Sequence, residues 1–181
     1  APHDVEREVG MASRKIDELY QLIDGIEIAM FTTRRPDGRL VSRPMATQDR
    51  RDGADLWFVT DIDTHKVDEL EVDDNVNLAY YRDRTKEWVS VSGTARISQD
   101  RALIRDLYAP DWRAWFGKVD EVRDGGPDDP RLALILVDAD SVVYMKQDKP
   151  TPVVLFEIAK GMVTGERPDV GKVRKLSGSE I

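Results

Sequence analysis

Cysteine is absent from all 181 residues. That removes disulfides, thiolate metal sites and cysteine nucleophiles from the possible chemistry. Histidine is scarce: only His3 and His65 occur, too few for a histidine-rich metal site. The acidic pairs Asp73-Asp74 and Asp128-Asp129 lack the spaced ligands of a calcium loop. They fall in turns and read as solvated faces, with no acid-base role. No metal is expected. No stretch approaches the roughly 20 apolar residues that span a bilayer. Basic excess is missing too. The net charge is −8, whereas a nucleic-acid binder needs a basic surface to displace counterions from phosphates. Neither nucleic acid nor membrane is an expected partner. The opening residues, Ala1 to Glu8, are polar and mixed in charge. They lack the apolar segment of a secretory signal, so a cytoplasmic location is expected. Gly-x-Ser-x-Gly, a Walker-type glycine loop and His-Glu-x-x-His are all missing.

What is present suits one compact domain, or a domain with a modest appendage. Hydrophobic residues make up 40% of the chain and charged residues 34%, enough apolar material for a core. The expected organisation is a flexible segment over 1–12, a domain over 13–150, and a helix with a loosely held polar tail over 151–181.

Ser13 to Asp24 carries Ile16, Leu19, Tyr20 and Ile23 on one helical face, with Gly25 as the stop. Glu27–Thr33 and Arg39–Thr47 read as a hairpin around Arg34-Arg35-Pro36-Asp37-Gly38. Leu56–Thr60 is a third strand and Thr64–Leu70 a short helix. Val76–Tyr81 and Trp88–Ile97 form a second hairpin, the latter alternating small apolar and polar positions. Ser98 is placed to cap a helix reaching Leu107, and Asp111–Phe116 makes a short helix. Leu132–Val137 is a short apolar run of the kind buried on both faces, and Val142–Met145 a last strand. Thr151 and Pro152 suit the start of a helix over Val153–Val163, closed by Gly165. Strand hairpins dominate, and helices do not alternate regularly with them. The expected class is mainly β (α+β): a small antiparallel barrel with peripheral helices.

Two segments carry possible chemistry. Thr60-Asp61-Ile62-Asp63-Thr64-His65-Lys66 joins a strand to a helix start. Helix amides, two threonine hydroxyls, Lys66 and His65 can surround a phosphate there. An ordinary capped polar loop accounts for the same residues, and Asp61 and Asp63 would repel a phosphate unless turned away. Ser42-Arg43-Pro44-Met45 places a proline in a strand, which signals an edge. Arg43 can reach a phosphate with its planar fork, or simply help protect the edge from aggregation. Trp88, Trp112 and Trp115 can stack on a planar ligand or fill a dimer interface. Trp57, in an apolar strand, reads as core, and Tyr80-Tyr81 as structural.

In order and spacing, these segments resemble the pyridoxamine-phosphate-oxidase-like FMN-binding split barrels, above all the bacterial general-stress-protein subgroup. The likeness runs from about Lys15 to Met145. Its elements are Ile28–Thr33 with Asp37-Gly38, Ser42–Met45, Leu56–Thr60 with Asp63–Lys66, and Trp88–Ala95. The Gly125–Pro130 loop before an apolar strand also fits. The resemblance implies a split β-barrel of antiparallel Greek-key type. It implies a homodimer with flavin sites at the subunit interface, filled by FMN, with FAD as an alternative.

Arg43, Lys66 and Thr64 match positions that hold the flavin phosphate. Pro44 and Met45 match backbone lying along the isoalloxazine ring, and Thr60 a residue near the ring and ribityl chain. His65 falls inside the phosphate segment with an open role. Trp88 corresponds to a stretch approaching the flavin, from its own chain or from the partner, and Trp115 is carried over beside it. True pyridoxamine-phosphate oxidases carry a C-terminal arginine-x-histidine grip. Here no histidine follows His65, and Arg167, Lys172, Arg174 and Lys175 do not form that motif. The resemblance implies an oxidoreductase acting on an unknown small substrate, with a link to stress as one reading of its setting, and disfavours vitamin B6 oxidation. The competing readings are a non-catalytic flavin carrier or sensor, and a deazaflavin or haem binder using the same groove. Haem would require His65 as its axial ligand.

Overall fold

The computed structural model describes residues 16–169 and 171–177. Residues 16–23 form helix α1. Ile16, Leu19 and Ile23 are buried along one side, at the spacing that puts side chains on a common face. Gly25, at φ 69°, follows its end. The expected start at Ser13 lies outside the described residues.

Strands β1 (Ile28–Arg34) and β2 (Leu40–Ala46) pair antiparallel, from Ile28 opposite Ala46 to Arg34 opposite Leu40. The turn closes with Gly38 N–H donating to the Arg35 carbonyl at 2.8 Å. Gly38 takes φ 83°, a region where a Cβ would be strained. β3 (Leu56–Asp61) leads into α2 (His65–Val72), and β4 (Asn75–Arg82) and β5 (Glu87–Ser98) follow. In β5, Val89, Val91, Gly93 and Ala95 point inward, matching the alternation in the sequence.

Helices α3 (Arg101–Leu107) and α4 (Trp112–Phe116) precede β6 (Leu132–Lys146), α5 (Thr151–Thr164) and β7 (Lys172–Ser177). α3 is capped by Asp100, not Ser98. The Asp100 carboxylate accepts from the N–H groups of Ala102 and Leu103 at 2.8 and 3.3 Å. Ser98 instead ends β5, and its hydroxyl accepts from Asp100 N–H at 3.2 Å. The cap of α5 is Pro150, one residue before the expected Thr151, and Pro152 lies in the first turn. Gly165, at φ 74°, ends it.

Two expected strands are one. β6 runs unbroken for 15 residues. Its first half is buried on both faces, as the apolar run suggested. Polar Asp138 and Asp140 resemble a turn in sequence, but both are exposed and flank buried Ala139. Period-two alternation therefore continues through them. Within the expected tail, Lys172–Ser177 form a strand. β7 pairs antiparallel with the second half of β6, from Ser141 opposite Ser177 to Lys146 opposite Lys172. The first half of β6 pairs antiparallel with β3.

The hydrogen-bonded order is β2-β1-β4-β5-β6-β3, with β7 also on β6. The architecture is mainly antiparallel β with a few helices, and the sheet is not closed. β2 lies at one end of this order, where the missing N–H of Pro44 costs little. The chain divides into two compact units. One holds the described residues up to Glu27, Leu78–Val91, and those from Asp140. There, α1 meets β6 where the Tyr144 hydroxyl donates to Glu18 Oε1 at 2.8 Å. The other holds Ile28–Asn77 and Ser92–Ala139. Its core is built on Trp57, Ile104, Leu107, Trp112, Leu132, Leu134 and Leu136. Phe31 and Phe58 meet edge to face in the same unit, with centroids 5.2 Å apart.

Candidate functional site

A groove of about 360 Å³ lies within the second unit. Arg43, Pro44, Met45 and Ala46 of β2 line it, as do Val59, Thr60 and Asp61 of β3 and Thr64 and Lys66 at the start of α2. Ile28, Trp115 and Phe116 complete the lining. Its volume lies within the roughly 300–1,000 Å³ usual for small-molecule sites.

The polar part is assembled by the β3–α2 junction. Thr64 occupies the N-cap of α2 in extended backbone, but its side chain does not cap the helix. Its hydroxyl donates to the Asp61 carbonyl at 2.8 Å. The first turn of α2 thus begins without a side-chain cap, and Asp68 is the acidic residue in that turn. Lys66 Nζ donates to the hydroxyls of Thr60 and Thr64, at 3.0 Å each. Burial lowers the Lys66 pKa, and the nearby charge of Arg43 lowers it further.

Arg43 is held from behind. Its guanidinium donates to the Thr33 hydroxyl and, at 2.9 Å, to Glu69 Oε2. Thr33 donates to the same carboxylate oxygen. Burial pushes the Glu69 carboxyl up. Hydrogen bonds from Thr33 and Arg43, with the Arg43 charge, outweigh this and leave it below its ordinary value. Of the two aspartates, Asp63 is exposed and stands outside the lining. Asp61 lines the groove, with Oδ1 accepting from Asp63 N–H at 2.9 Å.

The expected residues Arg43, Pro44, Met45, Thr60, Thr64, Lys66 and Trp115 therefore come together. Two others are not part of this lining. His65 has a 99% exposed side chain, its Nδ1 3.9 Å from Asp68 Oδ2, and is not part of the lining. Trp88 belongs to the other compact unit and is half-buried on β5; it does not line the groove. Trp112 is a core residue, only 2% exposed, whose Nε1 donates to Gln48 Oε1 at 3.0 Å. That removes it from ligand stacking and from any exposed interface. Trp57 and Tyr80 are buried as expected, whereas Tyr81 is exposed.

Sequence reading missed Glu69 and Thr33. Glu69 lies three residues after Lys66, and Thr33 lies at an inward position of β1, so the spacing held a signal. Nothing in the sequence showed that a carboxylate was buried there. Asp129 was misjudged as well. It is not solvated but fully buried, at 0% exposure. Its carboxylate accepts from Gly125 N–H at 2.8 Å and from Arg131 at 2.7 Å.

The family model for "Pyridoxamine 5'-phosphate oxidase like" matches residues 14–169. The chain belongs to this family. Protein bli-3 of Neurospora crassa is 37% identical over 171 residues, covering 93% of this chain and 82% of that protein. Among solved structures, a general stress protein 26 from Jannaschia sp. CCS1 superposes with a TM-score of 0.66 at 24% identity, covering 91% of this chain and 99% of that one. The general stress FMN/FAD binding protein of Xanthomonas citri gives a TM-score of 0.55 at 28% identity, covering 69% of this chain and 83% of that one. These neighbours share the split-barrel fold. Among the described residues, no helix is long and apolar enough to cross a membrane.

Proposed function

We propose that this protein binds a flavin, FMN in the first instance, in the groove between β2, β3 and the start of α2. The observation that carries this reading is the convergence of Arg43 and Lys66 beside the uncapped start of α2. Lys66 bears a pKa lowered by burial and by Arg43. Arg43 already pairs with Glu69, whereas the partly buried Lys66 ammonium donates to two neutral hydroxyls; an oxyanion in the groove would relieve the cost of that charge beside Arg43. The rest of the lining, including Ile28, Pro44, Met45, Val59, Trp115 and Phe116, suits a flat apolar ring. A relative at 28% identity is called an FMN/FAD binding protein, which supports the same ligand class.

In this reading Arg43, Lys66, Thr60 and Thr64 hold the phosphate, and the Pro44-Met45 backbone lies along the ring. The bound flavin would supply redox chemistry, with the protein binding and orienting it. Flavin redox chemistry does not demand a dedicated protein acid or base. Oxidoreductase activity on a small substrate therefore remains compatible with the missing catalytic sets. A homodimer in which the partner covers the groove belongs to the same proposal.

The test is a visible absorption spectrum of the purified protein, then titration with FMN and FAD. Flavin bands, or saturation at one FMN per chain, support the site. A colourless protein that ignores both flavins overturns it. Steady oxidation of NADH or NADPH over many turnovers then separates an enzyme from a carrier or sensor.

A further inference from the structure

The apolar wall formed by Trp115 and Phe116 rests on α4, a helix of five residues without a side-chain cap at its N-terminus. So short a helix has no stability of its own. Its position must come from what it touches. Trp112 anchors it to the core and, through Gln48, to the segment after β2. A second anchor is the ion pair of Arg131 with the buried carboxylate of Asp129. Arg131 donates to the Phe116 carbonyl through Nη1 and to the Gly117 carbonyl through Nη2, at 2.9 Å each. These are carbonyls at the C-terminal end of α4, which has few partners within the helix. The guanidinium also lies 5.8 Å from the centre of the Phe116 ring.

Arg131 is itself fixed. Its Nη2 donates to Asp129 Oδ2 at 2.7 Å, and its Nε to Asp129 Oδ1 at 3.1 Å. Asp129 also accepts from Gly125 N–H. The Gly125 backbone packs so closely on α4 that an added Cβ would stand 3.0 Å from Arg113 Cα. One buried carboxylate thus braces both the loop packed against α4 and the arginine that holds its end. The fork matters: a guanidinium can grip a carboxylate and two carbonyls at once, which an ammonium cannot do in the same geometry.

We infer that Arg131, clamped by Asp129, is a positioning residue that sets the Trp115–Phe116 wall of the groove and so governs binding of the ligand's planar ring, separately from the phosphate site at Arg43 and Lys66. This rests on the reading of the groove as a flavin site.

The two parts of the site can be told apart with two probes. FMN carries ring, ribityl chain and phosphate; riboflavin lacks only the phosphate. In the wild-type chain, stripped of any flavin, FMN should bind more tightly than riboflavin. Arg131→Gln should weaken both probes by a similar factor, roughly tenfold, leaving their ratio unchanged. Arg43→Ala should weaken FMN alone and collapse the ratio. Trp115 is 86% exposed, so Trp115→Ala removes part of the wall with little effect on folding. In that background, the further loss from Arg131→Gln should be clearly smaller than in the wild type. Arg131→Lys, which keeps a charge beside Asp129 but loses the fork, should fall between wild type and Arg131→Gln. It also serves if Arg131→Gln does not fold. The inference is overturned if the Arg131 variants bind both probes normally, lose FMN alone, or lose the ring by a factor that simply multiplies with that of Trp115→Ala. A wild-type chain that binds neither probe overturns the flavin reading itself.

Discussion

Arg43 on β2 and Glu69 on α2 are joined by a 2.9 Å contact from Nη2 to Oε2, with the Thr33 hydroxyl bonded to both. The arginine that faces the groove thus has its counter-ion on the protein side. Glu69→Gln keeps the size but leaves Arg43 without that charge. The expected loss is on the order of 1.5–3 kcal/mol, the range of a charge-assisted hydrogen bond. Urea denaturation at neutral pH checks it. A variant as stable as wild type would show that the pair contributes nothing.

Lys66 is expected to trade stability for binding. Its folded pKa lies below the ordinary 10.5 because of burial and the Arg43 charge. Between the two values the unfolded chain binds more protons, so its stability contribution rises with pH through that window. At neutral pH the charged Lys66 is a cost. Lys66→Met should raise the melting temperature of the flavin-free protein, remove the alkaline rise, and weaken FMN binding. Thermal scans from pH 7 to 10 with an FMN titration check all three. A variant that melts lower than wild type would contradict the assigned cost.

Acid should act through Asp129. Burial raises this carboxyl, but hydrogen bonds from Arg131 and from the Gly125 and Arg131 N–H groups bring it down from 3.8 to about 2. Its contribution is complete above about pH 4 and is lost as pH falls towards 2. The magnitude is about 2 kcal/mol. Asp129→Asn should be destabilised at neutral pH and show a flatter acid limb over that window. Stability measured by denaturant at a series of pH values from 5 to 2.5 checks it.

Gly93 offers a test of the strand packing. A Cβ built there collides with the carbonyl of Asp138 on β6. Backbone cannot yield as a flexible side chain can. Gly93→Ala should therefore cost about 3 kcal/mol, near the top of the usual range for overpacking. A melting temperature within a degree of wild type would rule out so close a contact.

Much of the site was legible because local signals and tertiary use coincide at the β3–α2 junction. Thr60, Thr64 and Lys66 fall within seven residues, and a strand-to-helix turn brings hydroxyls and ammonium together whatever surrounds them. Arg43-Pro44 marked its own strand as an end strand for the same local reason. His65 sits in the same segment, yet its side chain faces solvent. Adjacency in sequence does not set the direction of a side chain.

The sequence alone determined the period-two strands, the Gly38 turn, the Gly165 stop, and the absence of thiol chemistry. These depend on backbone sterics and on which residues exist. Only the tertiary structure decided that Glu69 and Asp129 are buried, that β6 runs through Asp138 and Asp140, and that Trp112 is core while Trp115 borders the groove. Carboxylates and tryptophans look alike in a turn or a short helix whether solvated or enclosed. Their roles are set by partners such as Arg43, Arg131 and Gln48, which lie 26, 2 and 64 residues away along the chain. A buried charge is stable only where folding delivers that partner.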